Sequence, residues 1–213
     1  MRFGVEAEGA RRVSVAVVVL AAGRSSRMAG AGHKLLARFR ETSLVRRAAL
    51  AAIGAGNRSV VVVTGYRSSD VEAEIAGLDL IIARNSNFSD GMASSIGLGV
   101  QRAALQAPDG IMIMLADMPL LEPADIDALI GAFAERNGKA IIRAVCEGNP
   151  GNPVVFPRAA FPQLMELIGD SGARKIITQS ALDVIDIEIG ESAKVDIDNT
   201  EQLVALGGHP EID

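Results

Sequence analysis

Short apolar runs rich in β-branched residues recur along this chain, each four to eight residues long and bounded by glycine, asparagine or charge. Residues 13–20, VSVAVVVL, are the first of them. None reaches the roughly 18 to 20 apolar residues of a membrane span, and their continuity suits strands buried on both faces rather than strands half-exposed to water. We place strands at residues 13–20, 59–64, 79–83, 110–115, 139–145, 153–156 and 182–187. Helix-like stretches lie between them at 44–53, 69–76, 94–105 and 123–136. Thr42 and Ser43 form the N-cap region of the first helix, and Pro123 with Asp125 suits the opening turn of the last. The alternation predicts an α/β fold: a single doubly wound, mostly parallel sheet with helices on both faces.

With 213 residues, 49% of them apolar, the chain can bury one continuous core. We read residues 1–12 as a flexible leader and 13–213 as a single domain, with no linker and no internal repeat. Arg11 and Arg12 before the apolar run imitate an export signal, but Glu6, Glu8, Arg24 and Arg27 argue for a strand in a cytoplasmic protein. Cys146 is the only cysteine, which excludes an intrachain disulfide and reads as a small hydrophobe at a strand end. A net charge of −5 and only 3% aromatic residues exclude a nucleic-acid partner, and no membrane partner is expected.

In a doubly wound sheet, ligands bind outside the carboxyl ends of the strands. Here those ends lead into loops 21–34, 84–92 and 116–122. From residue 21 to 40 five basic residues, Arg24, Arg27, Lys34, Arg38 and Arg40, meet no acidic one, a local reversal in an acidic chain. Small residues, hydroxyls and several cations on one loop suit a triphosphate. A Walker A loop would need Gly-Lys-Ser/Thr where His33-Lys34-Leu35 stands, and no dinucleotide fingerprint follows the first strand.

The other loops supply acids and small residues. Asp117, in Leu115-Ala116-Asp117-Met118-Pro119, closes an apolar strand and is poised over the ligand crevice, where a carboxylate can share Mg²⁺ with substrate phosphates. Asp196 and Asp198 fall on one side of an extended segment, and Asp198 fits equally as an N-cap for a helix from Thr200. Gly91 permits close backbone approach, and Ser94 and Ser95 sit at a helix N-terminus. Gly148 to Pro153 and Gly169 to Gly172 carry loop or turn signals; Arg174 and Lys175 open the next helix, where they suit a second phosphate or a solvated surface.

Leu20 to Met28, reading L-A-A-G-R-S-S-R-M with Lys34 after it, resembles the molybdenum cofactor cytidylyltransferases and the nucleotidyltransferases around them. The likeness covers roughly residues 13–206, with Ala29 where the family usually has glycine and a lengthened Ala29 to Gly32 segment. It implies Mg²⁺-dependent transfer of CMP from CTP to the phosphate of molybdenum-bearing molybdopterin, with a molybdoenzyme or its maturation chaperone as a further partner. It implies a nucleotide-binding half at about 13–120, comprising Leu20, Ala21, Ala22, Gly23, Arg24, Ser25, Arg27, Lys34, Thr64, Asn85, Ser89, Gly91, Met92, Ser94 and Asp117. Arg27, Lys34 and Asp117 would be catalytic, with Asp117 and Asp198 the metal ligands. The acceptor half, about 121–206, would use Asn152, Pro153, Gly172 and Arg174. Guanylyl relatives typically read Leu-Ala-Gly-Gly where this chain has Ala22, which favours the smaller cytosine. Guanylyl transfer to the same cofactor, cytidylyl transfer to a sugar or polyol phosphate, a glycosyltransferase and a non-catalytic nucleotide-binding module remain the alternatives.

Overall fold

The computed structural model describes residues 13–24, 32–56, 59–170 and 172–211, so the expected leader at 1–12 lies outside the described residues. In chain order the elements are β1 (Val15–Ala21), β2 (Arg38–Phe39), β3 (Thr42–Ser43), α1 (Leu44–Gly54), β4 (Val60–Thr64), α2 (Ser68–Glu74), β5 (Ile81–Arg84), α3 (Met92–Ala104) and β6 (Gly110–Leu115). They continue with α4 (Pro123–Glu135), β7 (Ile141–Cys146), β8 (Asn149–Pro157), α5 (Phe161–Met165), α6 (Arg174–Gln179), β9 (Val184–Glu188) and α7 (Thr200–Ala205). Seven strands form one sheet in the order β5-β4-β1-β6-β8-β7-β9. Only β8 runs antiparallel to its neighbours, so the sheet is mostly parallel, as the alternation predicts.

Both faces of the central strands are buried. Val15, Val17 and Val19 of β1 pack with α1 and α4 residues such as Val45, Ala49 and Leu129. Ala16 and Val18 pack on the opposite face with Ile96 and Val100 of α3 and Leu164 of α5. Two-sided burial explains why these strands read as continuous apolar runs. The caps follow the sequence: Ser43 Oγ accepts from Arg46 N–H, while Glu122 and Asp125 form a reciprocal capping box around Pro123.

Two local expectations are corrected. Gly148 to Pro153 is not a loop: β8 begins at Asn149 and pairs directly with Cys146, forming a hairpin whose two connecting residues, Glu147 and Gly148, both have positive φ. That is the backbone of a type I′ turn, whose twist matches paired strands, so the turn residues sit inside a longer ladder. The second correction concerns α7, whose N-cap is Asn199, with Gln202 completing the box, rather than Asp198. Asp198 instead donates its N–H to Gln202 Oε1 at 2.7 Å. Among the described residues no helix is long and apolar enough to cross a membrane.

Candidate functional site

From β1 the chain moves outward through β4 to β5, then returns to β6 on the other side of β1. The loops after β1 and β6 diverge at this reversal of strand order, where α/β sheets open a crevice. A cleft of about 1250 Å³ lies there. Leu20 and Leu115, register partners across β1 and β6, form its floor. Ala22, Gly23 and Arg24 make one wall, with the Arg24 guanidinium 5.4 Å from the centre of the Phe88 ring.

Opposite stand Lys34 and three carboxylates, Asp117, Asp196 and Asp198. Lys34 opens a single 3-10 turn, Lys34–Leu36, anchored by buried Leu35 and Leu36. His33, itself 1% exposed, fixes that turn: its Nδ1 accepts from Leu35 N–H and its Nε2–H donates to Gly23 O, each at 3.2 Å. This bonding defines a neutral ring, and burial foremost pushes the His33 pKa below its ordinary value. Asp117 follows β6, and its carbonyl accepts from Ile197 N–H at 2.9 Å. Ile197 is fully buried, so its neighbours Asp196 and Asp198 are delivered to the cleft on either side of it.

Lys34 Nζ lies 2.5 Å from Asp117 Oδ2, 3.0 Å from Ile197 O and 3.7 Å from Asp198 Oδ1. One cation thus meets both carboxylates that the sequence nominates for a metal. Asp117 Oδ1 is buried without a hydrogen-bond partner. An unpartnered hard oxygen beside a second carboxylate fits Mg²⁺, which takes one or two carboxylates and completes its shell with phosphate and water. Among the described residues no group of three or more acids, histidines or cysteines is placed to hold a metal. Burial, reinforced by the charges of Asp117 and Asp198, pushes the Asp196 carboxyl above its ordinary value.

The segment after β5 divides between two sides of the α3 N-terminus. Ser89, Gly91, Met92 and Ser95 line the cleft. Asn85 and Ser94 instead face a separate groove with Arg84 and Gln101. Buried Asn85 donates to both Ser94 Oγ and Ser95 Oγ and accepts from Asn87 N–H, so it shapes this loop from behind. Gly91, at φ +101°, does have a close backbone neighbour, but it is this chain's own: an added Cβ would meet Gly169 C and O at 2.4 Å. Ala93 N–H donates to Gly169 O at 3.1 Å, so the 169–170 loop closes over the start of α3 and brings Asp170 to the cleft. Thr64 is fully buried and donates to Glu72 Oε1 at 2.7 Å; Ala21 is fully buried at the end of β1. Ser25 and Arg27 lie outside the described residues.

A second cavity of about 780 Å³ shares Leu20, Met92 and Leu115 with the first. Ile96, Ile113, Val154, Phe156 and Ile177 make it mainly apolar, and Asn152, Gly172 and Arg174 stand on its lining. Pro153 is buried in β8 behind them. Arg143 also lines this cavity, held by a bidentate pair with Asp186 at 2.8 and 2.9 Å.

The family described as the MobA-like NTP transferase domain matches residues 17–184. The chain belongs to that family. Its members are nucleotidyltransferases, and both cavities fall within the matched span except for the wall made by Asp196 and Asp198. The bifunctional protein GlmU of Carboxydothermus hydrogenoformans is 26% identical over 156 residues, covering 73% of this chain and 34% of that protein. The purine catabolism protein PucB of Bacillus subtilis is 32% identical over 114 residues, covering 53% of this chain and 54% of that protein. The chain therefore spans a third to about half the length of these curated relatives. Among solved structures, Rv0371c of Mycobacterium tuberculosis superposes with a TM-score of 0.77 at 26% identity, covering 92% of this chain and 98% of that one. A manganese complex of the same mycobacterial protein superposes with a TM-score of 0.73 at 24% identity, covering 91% and 98%.

For a MobA-like chain, the sequence reading missed Phe88, Asp170 and Arg143 as cavity residues and passed over Asp196. Asp196 had a signal, its period-two relation to Asp198. Arg143 had none, because it reaches its cavity only through pairing in the sheet.

Proposed function

We propose that this chain is a divalent-metal-dependent nucleotidyltransferase that moves CMP from CTP to the phosphate of molybdenum-bearing molybdopterin, releasing pyrophosphate. The observation that carries the reading is the meeting of Lys34 with Asp117 and Asp198 at the mouth of the crevice between β1 and β6. In the reaction an acceptor phosphate oxygen forms a bond to the α-phosphorus of the nucleotide, and the bond from that phosphorus to the bridging oxygen breaks. Pyrophosphate takes the electron pair. The acceptor phosphate is ionised at neutral pH, so no side chain must remove a proton.

Positioning and charge neutralisation are then the protein's work. Asp117 and Asp198 hold the metal, Mg²⁺ in this reading, which when bound neutralises triphosphate charge and polarises the α-phosphoryl group. Lys34, with Arg24 and Arg27 of the same loop, offsets the charge of the triphosphate and of departing pyrophosphate. Ala22, Gly23, Ser89, Gly91 and Met92 surround the nucleoside, and the second cavity receives the acceptor through Asn152, Gly172 and Arg174. The apolar lining of that cavity gives a flat ring system a face to pack against, with Arg143, Asn152 and Arg174 for its polar edges.

The test is pyrophosphate release with each of CTP, GTP, ATP and UTP, in Mg²⁺, with and without molybdopterin. Release that requires both CTP and the cofactor supports the proposal. Release with a sugar phosphate, or with GTP in preference to CTP, refutes its finer part while leaving nucleotidyl transfer intact.

A further inference from the structure

The end of the described chain returns to the loop that presents Lys34. Gly208 N–H closes α7 on Leu203 O, and His209 then exchanges two backbone hydrogen bonds with Arg38, at 2.7 and 2.8 Å. Two residues later Glu211 turns inward. Its Oε2 accepts from the backbone N–H of His33 at 2.7 Å and from Arg67 Nη1 at 2.8 Å, while its Oε1 accepts from Arg67 Nη2 at 2.8 Å. The remaining guanidinium donor of this contact set, Arg67 Nε, goes to Asp70 at 2.6 Å. Gly32, at φ +77°, passes so close that an added Cβ would lie 2.6 Å from Glu211 Oε2.

These bonds join three distant parts of the chain. Glu211 is 178 residues from His33 and 144 from Arg67. The Glu211 side chain is 16% exposed and that of Arg67 33%, so the pair is shielded more than an ordinary surface ion pair. A bidentate guanidinium–carboxylate contact that also accepts a backbone N–H fixes direction as well as distance. Burial alone would raise the Glu211 pKa; the His33 N–H and Arg67 outweigh it and hold the carboxyl below its ordinary value, so the latch is charged at neutral pH.

The peptide that Glu211 holds is the one joining Gly32 to His33, a single residue ahead of Lys34. We propose that Glu211 and Arg67 are positioning residues, a tail latch that grips the backbone at His33 and so sets where the Lys34 side chain departs toward the Asp117 wall. The inference rests on the reading of Lys34 as a triphosphate ligand. Lys34 is a long, flexible chain, and its Nζ can be held near a fixed anion only if its Cα is held too. The His33 ring and the Leu35 and Leu36 anchors fix the turn from within; the latch ties that turn to α2 and to the tail. Misplacement by about 1 Å of a group that acts on the reacting phosphates can cost on the order of a hundredfold in rate.

The experiment is a double-mutant cycle read by Mg²⁺–CTP binding, with amide hydrogen exchange and melting temperature on the same proteins. Glu211→Ala should weaken Mg²⁺–CTP binding by about tenfold and speed exchange at the His33 and Leu35 amides. Glu211→Gln retains an acceptor for the His33 N–H and should stay within about threefold of the wild type. The deciding comparison is with Lys34→Ala: if Glu211 acts through Lys34, the Lys34→Ala/Glu211→Ala double variant binds no more weakly than Lys34→Ala alone. Penalties that add in the double variant, or unchanged binding in Glu211→Ala, overturn the proposal. Should Glu211→Ala fail to fold, Arg67→Lys, which keeps the charge and loses the fork, takes its place in the cycle: a penalty that vanishes beside Lys34→Ala supports the latch, and an additive or absent penalty overturns it. Wild-type protein that binds none of the four nucleoside triphosphates would overturn the nucleotide reading itself, and this inference with it.

Discussion

Lys34 Nζ and Asp117 Oδ2 stand 2.5 Å apart, each on a side chain that is 14% exposed. Asp198 Oδ1 lies 3.7 Å from the same ammonium. Lys34 is therefore the counter-ion of the two carboxylates assigned to the metal, and it is also the residue assigned to the triphosphate. The two assignments compete for one side chain. A metal at Asp117 must meet a cation already there, whereas a metal arriving with a triphosphate brings Lys34 a new anionic partner.

Lys34→Met should accordingly bind Mn²⁺ more tightly than the wild type when no nucleotide is present. A divalent ion and an ammonium about 4 Å apart repel by ~2 kcal/mol even in water, twice the value for two unit charges, which corresponds to about a thirtyfold gain in affinity when the ammonium is removed. The same variant should lose turnover by about a hundredfold, as removal of a preorganised electrostatic donor does. Titration of free Mn²⁺ by electron paramagnetic resonance checks the first half. Weaker Mn²⁺ binding would place the metal away from Lys34.

Asp117→Asn and Asp198→Asn should each abolish most transfer, and the double variant should be little worse than the worse single one, because both remove the same ion. Their unliganded stabilities should differ from that of Asp196→Asn. Asp117→Asn takes away the nearest partner of a largely buried ammonium and should lower the melting temperature. Asp196→Asn relieves crowding among three carboxylates and should raise it by roughly 1 to 3 °C. Calorimetry of the three variants without added metal measures both signs.

Stability should decline as pH falls below about 6.5, the ordinary histidine value, because His33 is held neutral in the fold. The unfolded chain takes up the proton first, so the folded state loses ground from that pH down toward the lowered folded value and nothing further below it. Burial is the main cause; Arg67 and Lys34 add to it, and Glu211 opposes it. Melting temperatures between pH 7.5 and about 5 should slope for the wild type and flatten for His33→Gln, since free carboxylates titrate mostly below that window.

CTP should raise the melting temperature in Mg²⁺ more than GTP does, by mass action on the native state. Ala22 is 5% exposed and lines the cleft, and its Cβ lies 2.8 Å from where a Cβ on Gly65 would be. The methyl therefore wedges between two loops rather than projecting freely. Ala22→Gly should narrow the CTP preference measured by thermal shift. An unchanged ratio of the two shifts would mean that the methyl serves the turn alone.

The residues legible in the sequence were those whose chemistry is local. Ser43, Pro123 and Asp125 announce helix starts because capping uses side chains within a few residues of the N–H groups they satisfy. Lys34 and Asp117 stand out because each follows or precedes an apolar segment at a place where the fold class itself opens a crevice. Asn85 and Ser94 were less legible. Both mark the loop before α3, but which side of the helix start each side chain faces depends on the loop's own hydrogen bonds and on Gly169 packing against Gly91.

Strand and helix alternation, two-sided burial and the basic loop were determined by the sequence alone, because hydrophobic periodicity and charge clustering are properties of neighbouring residues. The tertiary structure decided the rest: that Asn149 to Asn152 join a hairpin, that Arg143 reaches the second cavity, and that Glu211 grips the backbone N–H of His33 across 178 residues. No period or propensity encodes such contacts. They exist only after the sheet has ordered β8 beside β6 and the tail has been carried back past Arg38, when the desolvation of each charge is offset by the one partner that packing has placed in reach.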